Sequence, residues 1–211
     1  MDLTTLKPFG PSILKAKIPE KIVKNINDHI DELISDKKKS SSSDYGQNLA
    51  GDVTQEFLLD PQFIKQVGWL DFLGKCTFAW IKKELNHEIK RFNVTSSWVV
   101  RQYQHEYNPV HWHSGHISGA GFLKVPENLG NFSQKEQKKG KEYTGGNLNL
   151  IHGSRMFLSE SLISIKPEVG DFYFFPNYLM HTVYPFKDTK EERRSISFNA
   201  TIDDKIFHNL S

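Results

Sequence analysis

Isoleucines at positions 22, 26, 30 and 34 recur every fourth residue through PEKIVKNINDHIDELISD, and Val23 and Leu33 widen the stripe. That spacing gathers apolar side chains on one face of an amphipathic helix, which should cover something with that face. Asp60-Pro61 reads as an N-cap followed by proline at the first helical position. Beyond it Phe63, Ile64, Val67, Leu70, Leu73, Phe78, Ile81, Leu85 and Ile89 mark one long helix or a pair, with Gly68 and Gly74 as candidate breaks. The polar, serine-rich stretch between them (36–52) is expected to be a surface loop, with a substrate-contacting lid as the alternative.

From about residue 93 the period shortens to two. SSWVVRQYQ, GAGFLKV, GGNLNLI, SLISI, DFYFFP and RRSISFNATI are short, β-branched or aromatic, and separated by Gly, Pro, Asn or Asp. Six or more strands without a helical pattern between them predict an antiparallel sandwich or barrel. A segment around 131–145, with lysines at 135, 138, 139 and 141, interrupts them as a solvated loop or a lid at a barrel mouth. The chain is therefore expected to be one α+β domain over 1–211, mainly β. Residues 1–92 would form a strand and helical support and 93–211 the β core.

Composition narrows the class. In 211 residues, 37% hydrophobic content with 15 Phe and 4 Trp argues for a packed globular protein. A net charge of +2 disfavours a nucleic-acid partner. The single cysteine, Cys76, excludes an internal disulfide and a cysteine-based zinc site. No apolar run spans a bilayer, and MDLTTLKPFG lacks the plan of a signal peptide, so a soluble, cytoplasmic protein is expected. Oligomeric state is not readable.

The candidate chemistry starts in HWHSGHISGAGFLKVP. If His111 and His113 lie on a strand, alternation turns them to one face and Trp112 to the other, so both imidazoles can bind one ion. Imidazole suits Fe, Zn, Cu and Ni alike. Downstream, a Gly-Asp turn and an aromatic strand closed by Pro176 precede His181. In RRSISFNA, Arg193, Ser195, Ser197 and Asn199 form a polar face opposite Arg194, Ile196, Phe198 and Ala200. An inward arginine needs an anion, either a structural carboxylate or a small dicarboxylate.

H-x-H, a strand, a Gly-Asp turn, an aromatic strand, His and R-x-S, in that order over roughly residues 95–203, resemble the Fe(II)/2-oxoglutarate-dependent oxygenase superfamily. They are most similar to a bacterial and phage group with H-x-H followed by SG. The resemblance implies a double-stranded β-helix (a jelly-roll, cupin-like barrel) buttressed by helices, with Fe(II), 2-oxoglutarate and O2 as reactants. It implies Fe(II) on His111, His113 and His181, and the far carboxylate of 2-oxoglutarate on Arg193 and Ser195. Oxidative decarboxylation to succinate and CO2 would drive hydroxylation of a protein side chain or a small molecule; the primary substrate is not readable. The superfamily's common pattern is H-x-D or H-x-E, and this chain has His113 where the carboxylate belongs. Glu106 and Asp171 lack the spacing to replace it.

Tyr103 shares parity with Arg101 and is expected either to reach the oxoglutarate or to pack. Asn147 and Asn149 alternate with Leu148 and Leu150 and are expected to face the cavity. Arg155 lies in a loop as a substrate contact or a solvated side chain. His116, carried off by the SGH turn, is expected in a substrate pocket or a structural role. Two rivals remain: a cupin enzyme that does not use 2-oxoglutarate, for which Arg193-x-Ser195 would be superfluous, and a non-catalytic jelly-roll binding module.

Overall fold

The computed structural model describes residues 10–46, 50–132 and 142–208. The elements run β1 Leu14–Lys17, α1 Glu20–Ser35, α2 Lys37–Ser43, β2 Gln55–Leu58, α3 Pro61–Gln66, α4 Trp69–Leu85, β3 Phe92–Gln102, β4 Asn108–His111 and β5 Ile117–Lys124. β6 Leu148–Ile151, β7 Leu162–Ile165, β8 Asp171–Pro176, β9 Met180–Val183, β10 Arg193–Ile202 and α5 Asp204–Phe207 follow. The strands form two antiparallel sheets, a major one ordered β1-β8-β5-β10-β3-β2 and a minor one ordered β4-β9-β6-β7. Among the described residues no helix is long and apolar enough to cross a membrane.

The period-four stripe does what its spacing requires: Ile22, Ile26, Ile30 and Leu33 of α1 are buried. They join Trp69 and Leu73 of α4 and Phe172, Phe174, Ile196 and Phe198 of the major sheet in the larger core. A smaller core between the sheets contains Phe122, Leu148, Leu150, Phe175, Leu179 and Val183. The helices thus cover one face of the major sheet, and the minor sheet faces the other.

Arg194 ties these layers together. It is fully buried; its Nε donates to Glu192 Oε1 at 2.7 Å and its Nη2 to Asp31 Oδ1 of α1 at 2.7 Å. Its Nη1 donates to Asn27 Oδ1 at 3.0 Å, and Asn27 Nδ2 donates in turn to the Leu123 carbonyl of β5 at 3.0 Å. Glu192 also receives Arg101 Nε at 3.0 Å. Burial alone would raise the Glu192 carboxyl, but hydrogen bonds from the two guanidiniums outweigh it and hold the group below its ordinary range.

Two glycines let β5 pack closely. A Cβ on Gly119 would stand 2.5 Å from Phe172 Cε1 and 2.8 Å from the Tyr173 carbonyl, and Gly121 is crowded by the same ring and by Asp171. Phe172 therefore lies over a strand with no side chain beneath it.

Several expectations change. Asp60 does cap a helix, accepting from Gln62 and Phe63, and Gly68 (φ +82°) does separate α3 from α4, but Gly74 lies inside α4 without breaking it. Part of the expected surface loop is the helix α2, because Asp36 accepts from the Lys38 and Lys39 amides and caps it. The strand expected in the N-terminal support is β1 and the one expected to carry His111 is β4, whereas β2 and β9 are short strands that the pattern does not mark. The lysines at 135, 138, 139 and 141 lie outside the described residues.

Replacing Gly119 with valine should drive Phe172 and the Tyr173 backbone off β5 and cost about 1–3 kcal/mol. Thermal melts of Gly119→Val against the wild type check this; an unchanged midpoint would show that β5 and β8 can separate freely.

Candidate metal centre and its cavity

The three histidines expected as ligands come together. Ring centroids of His111 and His181 are 4.2 Å apart, and His113 lies 4.9 Å from each. His111 and His181 face each other directly across the β4–β9 ladder. β4 ends at His111, so His113 is not on a strand; it is held instead by Asn177. The His113 amide donates to the Asn177 carbonyl at 3.0 Å, and Asn177 Nδ2 donates back to the His113 carbonyl at 3.1 Å. The chain turns His113 inward and leaves Trp112 67% exposed at the rim of the cavity that both line.

Hydrogen bonds to the backbone set the tautomers. His111 Nδ1 lies 2.7 Å from the Pro109 carbonyl and His181 Nδ1 lies 3.0 Å from the Leu179 carbonyl. Each Nδ1 therefore carries the proton, and each Nε2 lone pair is free for a ligand. His113 Nε2 is 3.0 Å from His181 Nε2. Two metal–nitrogen bonds of about 2.1 Å meeting at a right angle place their donors about 3.0 Å apart, so the pair fits one ion. Burial, with the neighbouring imidazoles adding, pushes His113 down to about 3; burial and His111 push His181 to about 4. All three rings are neutral at physiological pH, the form that binds metal. Among the described residues they form the one cluster of His, Cys, Asp or Glu suited to a metal ion. Glu106 accepts from the Tyr103 and Thr54 amides, and Asp171 pairs with Lys15 and Lys17, so neither carboxylate reaches the histidines.

The cluster opens into a cavity of about 240 Å³ between the sheets, which Arg193, Ser195 and Ser197 of β10 also line. Arg193 is 2% exposed and meets no carboxylate among the described residues. Its Nε donates to the Gly146 carbonyl at 3.0 Å, its Nη1 to Gln102 Oε1 at 3.1 Å and to Ser195 Oγ at 3.4 Å, and its guanidinium lies over the Phe122 ring. Burial without a counter-charge lowers it to about 10, whereas the hydrogen bonds of Glu192 and Asp31 overcome burial and raise Arg194.

Other expected residues lie elsewhere. Tyr103 follows the parity of Arg101 to the helix side, where its hydroxyl accepts from Arg101 Nη2 at 2.8 Å. His116 does not reach the cavity. Gly115 turns the chain at φ +93°, and the imidazole stacks on Phe207 at 3.9 Å while accepting from the Ile202 amide at 3.1 Å. Leu148 and Leu150 take the inward positions of β6, so Asn147 and Asn149 face the other way; Asn147 donates to Ser164. Arg155 is exposed in the β6–β7 connection.

Two further residues belong with the site, one behind Arg193 and one in the cavity wall. Gln102, paired with Arg193 in the β3–β10 register, needed a register that no single strand reveals. Glu56 lies on β2 directly across from Val100, and both line the cavity. Glu56 is 1% exposed, and its Oε2 meets no donor among the described residues. Burial, and secondarily the charge of Asp44, pushes it up to about 7. The apolar Phe57-Leu58-Leu59 run after Gly51-Asp52 is the available signal for this strand.

Residues 96–199 match the family described as "Putative 2OG-Fe(II) oxygenase". The fold is similar to a Pseudomonas putida prolyl-4-hydroxylase, with 14% identity over 92% of both chains and a TM-score of 0.58. It is similar to the viral collagen prolyl hydroxylase of Paramecium Bursaria Chlorella virus-1, with 16% identity over 89% of this chain and 94% of that one and a TM-score of 0.54. HygX of Streptomyces hygroscopicus, solved with nickel, 2-oxoglutarate and hygromycin B, gives 10% identity over 90% and 83% and a TM-score of 0.56. No curated protein matches the chain. Residues 96–199 thus match the 2OG-Fe(II) oxygenases, a group of oxidoreductases, and the fold shared with the similar structures is the double-stranded β-helix.

Divalent-metal affinity, measured by competition with a chromogenic chelator, should fall more than about tenfold in His113→Ala and stay unchanged in His116→Ala; equal losses would mean that the third ligand is misassigned. Glu56 adds a pH signature. Its carboxyl is higher in the folded than in the unfolded chain, so its favourable contribution is complete below the ordinary glutamate value and is lost as pH rises through about 7. Glu56→Gln should therefore gain thermal stability over the wild type as pH climbs from about 5 to about 8, a difference that parallel melts would reveal.

Proposed function

We propose that this oxygenase hydroxylates a C–H bond of a protein side chain or small molecule, with His111, His113 and His181 holding Fe(II) and Arg193 and Ser195 holding 2-oxoglutarate. One observation carries the assignment of the co-substrate: Arg193 is a buried guanidinium with no carboxylate partner among the described residues, in the same cavity as three converging neutral imidazoles. A buried cation of this kind is costly until an anion meets it. A dicarboxylate is suited to the gap, because one end can meet Arg193 while the other reaches the histidines. A cupin would have no use for Arg193 there, and a binding module would have no use for the histidines. The prolyl hydroxylases among the similar folds support hydroxylation as the outcome.

When bound, Fe(II) supplies the redox chemistry that couples oxygen reduction and 2-oxoglutarate decarboxylation to substrate oxidation. The protein's own residues do the positioning. The Pro109 and Leu179 carbonyls hold His111 and His181 with Nε2 toward the cavity. Asn177 fixes the His113 backbone. The Gly146 carbonyl and Gln102 aim the Arg193 guanidinium, while Nη2 donates to no described residue and is left for the incoming carboxylate. Phe122 beneath the guanidinium, Trp98 beside His113 (5.4 Å between centroids) and Phe175 beside His181 (5.0 Å) exclude water from the reacting groups.

Anaerobic addition of Fe(II) and 2-oxoglutarate should produce the metal-to-ligand charge-transfer absorption of the chelate. In Arg193→Ala, half-saturation should require at least about tenfold more 2-oxoglutarate, the loss of one charge-assisted pair. Iron affinity should stay the same. An unaltered 2-oxoglutarate titration in that variant would remove Arg193 from the site.

A further inference from the structure

The oxygenase reading gives work to the histidines, Arg193 and Ser195 but none to Glu56, the buried carboxylate in the same cavity. Glu56 pairs with Val100 on β3, and Val100 pairs with Ser195 on β10, so the three form one row across the major sheet and all line the cavity. At about 4.8 Å per strand, Glu56 lies about 10 Å of backbone from Ser195, toward the sheet edge. Ala50, Asn108 and the exposed Trp112 also line the cavity. Glu56 thus flanks the proposed co-substrate site instead of occupying it.

Among the described residues the other deeply buried carboxylate, Asp171, is ion-paired with Lys15 and Lys17, and the part-buried Glu192 receives Arg101 and Arg194. Glu56 is as deeply buried, yet no donor among the described residues meets its Oε2. Asp44 adds negative charge instead of relieving it; its Oδ1 accepts from the Gly46 and Glu56 amides, keeping a second carboxylate close by. An anionic substrate would be repelled here, and a neutral hydroxyl would satisfy an oxygen without offsetting the charge. Trp98 and Trp112 line the same cavity, and indole faces favour cations.

We infer that Glu56 is a specificity-determining residue that receives a cationic nitrogen, so that the primary substrate carries a protonated amine or a guanidinium near the C–H bond to be oxidised. The inference rests on the oxygenase reading and narrows it. The unpartnered carboxylate is the docking point, Asp44 reinforces its sign, and the tryptophans shape the channel around the substrate's alkyl portion.

The test uses wild type, Glu56→Gln and Glu56→Met, each loaded anaerobically with Fe(II) and 2-oxoglutarate, and titrated with n-butylammonium and with its neutral counterpart 1-butanol by ligand-observed NMR. The wild type should prefer the ammonium by at least about tenfold, the scale of one charge-assisted contact. In both variants that preference should collapse to near unity through weaker ammonium binding, with butanol affinity altered less than twofold. The charge-transfer band separates the two readings: no band in the wild type overturns the oxygenase reading itself, whereas a band without ammonium preference overturns only the role of Glu56. Melting at or above the wild-type temperature is expected of both variants. Lower melting with loss of both probes would make Glu56 a structural residue and end the proposal.

Discussion

A guanidinium buried in protein must find a negative charge, and the two adjacent arginines of β10 meet that demand in opposite ways. Arg194 finds Glu192 and Asp31 within the chain and so fastens α1 to the major sheet. Arg193, one residue away and on the other face, has carbonyl, amide and hydroxyl partners but no anion among the described residues. Strand alternation makes this division possible: one face of β10 supports the helices, while the other is kept polar for a ligand. The first arginine stabilises the scaffold, and the second leaves an electrostatic debt inside the cavity.

The cavity is organised by the same logic. Its wall carries an unmatched cation at Arg193, three neutral imidazoles, and an unmatched carboxylate at Glu56. Two backbone carbonyls fix ring orientation at His111 and His181, and Asn177 does the equivalent for the backbone at His113. These supports are local, and they accompany ligand atoms that lie within 4.8 Å of one another.

Much of this was legible in the chain because the signals were periodic. The isoleucine stripe of α1, the alternation of β10 and the H-x-H spacing each follow from geometry that one segment carries by itself. What could not be read depended on partners distant in sequence. Parity correctly grouped Tyr103 with Arg101, but only the β3–β10 pairing shows that this group faces the helices. Asn147 and Asn149 alternate with leucines as expected, yet which set turns inward depends on the sheet opposite. Glu56 was hidden because its place in the cavity wall depends on the pairing of β2 with β3.

The two hydrophobic cores are unequal, and this bears on how the molecule fluctuates. The larger one clamps the helices to the major sheet, whereas the minor sheet is held mainly by a small apolar cluster beside a polar cavity. Cooperative opening should therefore be cheapest for β4, β9, β6 and β7, the sheet that supplies His111 and His181. Ligands that bridge the two sheets close the fold's weakest seam, so amide exchange in the minor sheet would slow on binding by a free energy drawn directly from the occupancy of the site.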